Sequence, residues 1–196
     1  TGAGTFMRSM ACEAGSAVAI AGGGAVGLSA VLGAVVQGCN PIIVIEPHAN
    51  RRELAIEIGA THVIDPMATE DLTTAIREIA PNGVNYALDT TSIQPVLDGL
   101  FPAMAAGGTL GLVAVPRDPE MQAGFHVITA LLGGLTVKGI CEGDADPQEL
   151  IPVMVDLFME GKFPFDKLCK FYEFDQINEA VAAQHDGSCV KAILKL

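Results

Sequence analysis

The chain has 196 residues, half of them hydrophobic and 17% charged, with 11 Lys plus Arg against 23 Asp plus Glu and a net charge of −12. That length builds a core without metal or disulfide staples, and the apolar fraction excludes disorder. A surface so negative argues against nucleic acid and anionic membrane as partners, so an anionic ligand must be held by backbone donors and single local cations.

The five cysteines, Cys12, Cys39, Cys141, Cys169 and Cys189, include no C-x-x-C pair and are odd in number. Unpaired thiols in a reducing, cytoplasmic setting are therefore expected. The sequence opens at Thr1 with no basic leader before an apolar run, and is expected to be a piece of a longer polypeptide.

No charge occurs from Ala14 to Ile45, long enough for a membrane span of about 20 residues. Gly22-Gly23-Gly24 would unravel such a helix, and no Lys or Arg cluster flanks it. The stretch instead divides into a buried strand from Ser16 to Ala21, a glycine turn, and a helix from Ala25 to Gln37 stopped by Gly38. Gly22, Gly24 and Gly27 give the spacing G-x-G-x-x-G. That spacing suits a tight turn, close approach of a pyrophosphate, and close packing of helix on strand. The amides of Ala25 and Val26 would point at the anion from the helix N-terminus.

A second strand, Ile42 to Ile45, ends in Glu46, 24 residues after Gly22. A carboxylate there accepts hydrogen bonds from adenosine ribose hydroxyls and repels a 2′-phosphate, which favours NAD over NADP. Arg51 and Arg52 would soften that preference. The alternation continues with a helix over Asn50–Ile58, a strand near Val63, a helix over Glu70–Ile79 and a strand closing at Asp89. A helix over Pro95–Ala105, interrupted by Pro102, precedes a fifth strand at Gly107–Val115 and a sixth at Leu135–Ile140. This pattern predicts an α/β fold, a doubly wound parallel six-stranded sheet of order 3-2-1-4-5-6.

After Gly143 the rhythm breaks. An amphipathic helix over Pro147–Gly161, an extended "LCKFYEFD", a helix over Asp175–Gln184 capped by Asp175, and a strand in "CVKAILKL" form an α+β tail. Domains are expected at 1–142 and 143–196. The four histidines, His48, His62, His126 and His185, have no ligand-type spacing; His48 follows the second strand, where it would either brush the adenosine or stand as a solvated loop residue, and the loop reading is favoured. Asp89 reads as lining the crevice or capping the next turn.

The segments "TGAG", "GGGAVGLSAV", "GATHVIDP", "ALDTTS", "KGICEGDADPQELIP", "GKFPFDKLCKFYEFDQINEAV" and "VKAILKL" together resemble the zinc-type medium-chain alcohol dehydrogenases, closest to the benzyl alcohol branch. The resemblance runs along the whole chain. It implies an enzyme that oxidises a primary alcohol, aromatic ones included, to an aldehyde by zinc-assisted hydride transfer to NAD. It also implies that zinc belongs to a catalytic domain upstream, that the tail packs on that domain, and that this chain alone is inactive. Carried over by position, Thr1 would touch the nicotinamide, Glu46 and Arg51 the ribose, and Thr90 and Thr91 the adenosine side. Val113 and Val115 would approach the nicotinamide, whose carboxamide would reach the backbone of Val113, Ile140 and Glu142. Lys191 would reach the pyrophosphate. Glu46 stands where the family more often has Asp, and Ser92 where it has Gly. A dimer or tetramer is implied, through the region around Ala130–Ile140. Two other functions fit the glycine turn: a non-catalytic dinucleotide-binding module and an S-adenosylmethionine methyltransferase.

Overall fold

The computed structural model describes residues 1–196. Strands β1 (Val18–Ala21), β2 (Ile42–Ile45), β3 (His62–Ile64), β4 (Val84–Asp89), β5 (Met104–Leu112) and β6 (Thr136–Gly139) form one sheet. All its pairings are parallel and its order is β3-β2-β1-β4-β5-β6. The order expected from the glycine turn is the one observed.

β1 lies between β2 and β4, with Val18 level with Ile42 on one side and Tyr86 on the other. Its pleat sends side chains alternately to two cores. Val18 and Ile20 join Leu28, Val31 and Leu32 of helix α2 (Ala25–Gln37) and Phe6. Ala19 and Ala21 face the opposite layer, where Ile76 of α4 (Leu72–Ile79) and Leu97 and Leu100 of α5 (Gln94–Leu100) pack. Helix α3 (Ala49–Glu57) contributes Ala55 to the α2 side. With both faces covered, the strands are apolar on both faces too: β1 and β2 are buried at every position.

Two helices go beyond the sequence expectation. Gly2–Gly4 forms α1, and Thr5–Ser9 continues it as a wider turn in which the Met10 amide donates to the Thr5 carbonyl at 2.8 Å. Glycine lets α1 approach α2 closely, since a Cβ on Gly2 would strike the carbonyl oxygen of Val26. Val127–Gly133 forms α6, which buries none of its residues. β5 starts at Met104 and ends at Leu112, three residues earlier at each end than expected, because the α5 helix stops at Leu100 in a single tight turn over Phe101–Ala103.

In the tail, α7 (Pro147–Met159) starts with Asp146 accepting from the Gln148 amide at 2.8 Å. Leu150, Phe163 and Leu168 belong to the same core as Phe6 and Leu28. β7 (Cys169–Glu173), α8 (Ile177–His185) and β8 (Lys191–Lys195) make a parallel two-stranded unit with a small centre of Tyr172, Ala180 and Cys189. Asp175 does not cap α8. A turn over Phe174–Gln176 precedes the helix, and it is Gln176 Oε1 that accepts the Glu173 amide at 3.0 Å. No helix is long and apolar enough to cross a membrane.

Candidate functional site: a cleft at the carboxyl ends of the strands

A cleft of about 880 Å³ opens where β1, β2, β4 and β5 end. In a doubly wound sheet this is the point where strand order reverses, and ligands bind there. Its floor is the turn from β1 into α2. Gly22 has φ +98°, and a Cβ there would collide with Thr90 Oγ1. A Cβ on Gly27 would collide with the Gly22 carbonyl oxygen, whereas one on Gly24 would meet nothing within 4 Å. The first and third glycines therefore serve the protein's own packing, and the second faces open space. Gly24 caps α2 with no side-chain bond, so the amides of Ala25 and Val26 have no partner within the helix. That arrangement fits an anion such as a pyrophosphate.

Glu46 forms the second wall. It is buried, at 3% exposure. Its Oε2 accepts from the Gly23 amide at 2.6 Å, and its Oε1 accepts from the His48 amide at 2.8 Å and lies 2.7 Å from His48 Nδ1. Gly23 is required for this: a Cβ would sit 2.8 Å from Glu46 Cγ. Arg51 lines the cleft, and its Nε is buried with no partner, a donor suited to a polar ligand. Arg52 is committed elsewhere, donating to the carbonyls of Glu46 and Pro47 at 2.7 Å and pairing with Asp65 at 3.1 Å.

The third wall is the β4 end. Asp89 is buried and accepts from the Thr91 amide at 3.0 Å, the Thr91 hydroxyl at 2.7 Å and the Ser92 amide at 3.0 Å. It caps the turn, three of its acceptor positions being taken up by that turn. Ser92 adopts φ +51°, the left-handed conformation that glycine takes without cost. Thr90 donates its hydroxyl to the Ala21 carbonyl at 2.7 Å.

Of the residues expected from sequence, Gly22, Gly24, Ala25, Val26, Glu46, Arg51, Thr90, Thr91, Val113 and Val115 line this one cleft. Gly27 supports it from below. Thr1 and Glu142 meet each other, hydroxyl to carboxylate at 2.8 Å, beside the rim: α1 adjoins the first turn of α2. The Ile140 amide donates to the Leu112 carbonyl at 2.9 Å, continuing β6 alongside the end of β5. Lys191 starts β8 and is not among the residues lining the cleft. The cleft also includes His48, Met67, Ile93 and Arg117, and depends on Gly23. Of these, Gly23 carried a signal as the unassigned middle member of a glycine triplet and His48 as a residue just after the second strand; Met67, Ile93 and Arg117 carried none.

The donor set does not fit a catalytic zinc: no group of three or more His, Cys, Asp or Glu side chains is placed to hold a metal ion.

The zinc-binding dehydrogenase family model matches residues 25–160. Geraniol dehydrogenase of Castellaniella defragrans is 45% identical over 194 residues, covering 99% of this chain and 52% of that protein. The crystal structure of benzyl alcohol dehydrogenase from Acinetobacter calcoaceticus superposes with a TM-score of 0.96 at 40% identity, covering 100% of this chain and 54% of the other. An alcohol dehydrogenase zinc-binding domain protein from Burkholderia ambifaria gives 0.96 at 44% identity, covering 100% and 52%. The chain thus spans about half the length of the relatives it matches. With the sheet order, the glycine turn and the acid-ended second strand in place, these likenesses make the chain a member of the zinc-binding dehydrogenase family, the zinc-type medium-chain alcohol dehydrogenases.

Proposed function

We propose that the chain is the NAD-binding half of a dehydrogenase that oxidises a primary alcohol to an aldehyde. The observation that supports it most is the open space beside Gly24 at the uncapped start of α2, facing a carboxylate across one cleft. NAD, when bound, supplies the hydride acceptor. The residues of this chain bind and orient: the amides of Ala25 and Val26 face the pyrophosphate, Glu46 and Arg51 the adenosine ribose, Thr90 and Thr91 the adenosine side. Val113 and Val115, with the backbone of Ile140 and Glu142 and the Thr1 hydroxyl, flank the nicotinamide, and Lys191 approaches the phosphates from the tail. Glu46 disfavours a 2′-phosphate, and with Arg52 held in place only Arg51 of that adjacent pair is left to offset it, so NAD is preferred over NADP.

The alcohol site and its zinc belong to a second half, on which residues 143–196 would pack. The exposed Ile151, Met159, Phe171 and Phe174 supply apolar surface for that contact. Self-association is proposed through the β6 edge, where Val127, Leu131 and Leu132 are 78%, 72% and 79% exposed. Five free thiols accord with a reducing, cytoplasmic setting.

Calorimetric titration of the 196-residue chain with NAD, NADP and S-adenosylmethionine tests the cofactor. Binding of NAD ahead of NADP, with no S-adenosylmethionine uptake, is expected. Uptake of S-adenosylmethionine alone would overturn NAD as the occupant of the cleft.

A further inference from the structure

A carboxylate offers four acceptor positions, and three of those on Glu46 are filled by the protein. Oε1 receives both the amide and the ring of His48, at 2.8 and 2.7 Å, and Oε2 receives the Gly23 amide at 2.6 Å. An ionised carboxylate only accepts, which puts the ring hydrogen of His48 on Nδ1. The ring itself is seated from behind by the tail. A Cβ on Gly187 would collide with His48 Cδ2, and the Gly187 carbonyl accepts from Asn50 Nδ2 at 2.8 Å, pinning that loop to the start of α3. Glu46 is thereby locked about its last torsion, with one acceptor position on Oε2 remaining for an incoming hydroxyl.

We infer that His48 is a positioning residue for cofactor selectivity: clamped by Gly187, it fixes Glu46 so that Oε2 alone meets one hydroxyl of the adenosine ribose. The inference rests on the cleft being the NAD site. A fixed carboxylate cannot turn away from a 2′-phosphate, whereas an unclamped one can, so the clamp acts on the ratio of NAD to NADP affinity rather than on binding in general. His48 acts through Glu46 and need not touch the dinucleotide.

His48→Phe retains a ring against Gly187 and removes the donor; His48→Asn returns an amide donor near the place of Nδ1. Titration of the 196-residue chain should show NAD bound about tenfold more weakly by His48→Phe, NADP nearly unchanged, and His48→Asn within about threefold of the parent. In a Glu46→Gln background, His48→Phe should change NAD affinity by less than about twofold, as coupled partners do. Thermal midpoints should match across the series, separating positioning from folding. Parallel loss of both cofactors, no rescue by Asn, or an additive effect in the Glu46→Gln background would overturn the role of His48. A parent chain that ignores NAD would instead overturn the cofactor site, and this inference with it.

Discussion

Gly24 and Gly27 stand one helical turn apart and meet opposite demands. Nothing lies within 4 Å of a Cβ on Gly24, and its backbone, at φ −81° and ψ −174°, suits any residue. Gly24→Val should leave the urea midpoint in place while lowering NAD affinity about 30-fold, as a branched side chain costs on the order of 2 kcal/mol where a phosphate must lie. Gly27→Ala should do the reverse, losing about 1–3 kcal/mol of stability because the added methyl meets the Gly22 carbonyl. Glu46→Ala removes a charged acceptor and is expected to weaken NAD binding about tenfold or more while narrowing the preference over NADP, both read by calorimetry. The three spaced glycines and the acid were legible because they stand together, a glycine turn between a strand and a helix with an acid ending the next strand. The bond from Gly23 to Glu46 was not, since it depends on two strands lying side by side. It also accounts for Glu in place of Asp: the extra methylene brings Oε2 to within 2.6 Å of the Gly23 amide. Arg52 was misjudged for a related reason, because sequence does not tell a cation facing a cleft from one tied to its own strand end.

Among the elements, α4 carries the most direct link between a cap and pH. Asp71 accepts from the Thr74 hydroxyl at 2.6 Å and from the Thr73 amide at 3.0 Å, with a longer bond from the Thr74 amide. The Thr74 hydroxyl first, then the two amides, hold its carboxyl below the usual carboxylate range. A carboxyl whose folded pKa is depressed contributes fully above the unfolded value, about 3.9, and its contribution is lost as pH falls through the folded value. Asp71→Asn, an equally good cap, should therefore flatten part of the acid limb of a stability–pH curve followed by circular dichroism, and leave the neutral limb unchanged. The inner strands were legible as short continuous apolar runs bounded by turn residues, and α4 and α7 as amphipathic helices because one-sided burial imposes a period. α1 and α6 lacked one. α1 is made of small residues wedged against α2, with Gly33 also giving way to Ala3 (a Cβ would lie 3.0 Å from its Cα). α6 is apolar but has no fully buried residue, Ala130 alone of its hydrophobic residues being partly buried against the core, so its sequence reads as a strand or as a helix equally well.

At the scale of the molecule, that unburied helix beside an edge strand sets an expectation for assembly. β6 pairs only with β5, and an open edge under an apolar ridge invites a second copy. Leu132→Asp should weaken self-association about 30-fold, as removal of a central apolar anchor costs on the order of 2 kcal/mol; sedimentation velocity over a concentration series reads it. The boundary between the nucleotide half and the tail is another property of the whole: Leu150 of α7, with Phe163 and Leu168 that follow it, shares a core with Leu28, so residues 147–168 are bound into the first half. The β7–α8–β8 unit has far less to hold it: three buried side chains, two of them small and the third Tyr172 with a hydroxyl lacking any partner. Fraying should begin there. Backbone amides of residues 169–195 are expected to exchange with deuterium well before those of β1 and α2, as weakly cored segments do. Because Gly187 of that unit backs His48, a dinucleotide seated against Glu46 would quiet the distant ladder of β7 and β8, so the slowest-melting and fastest-melting parts of the molecule would report on the same binding event.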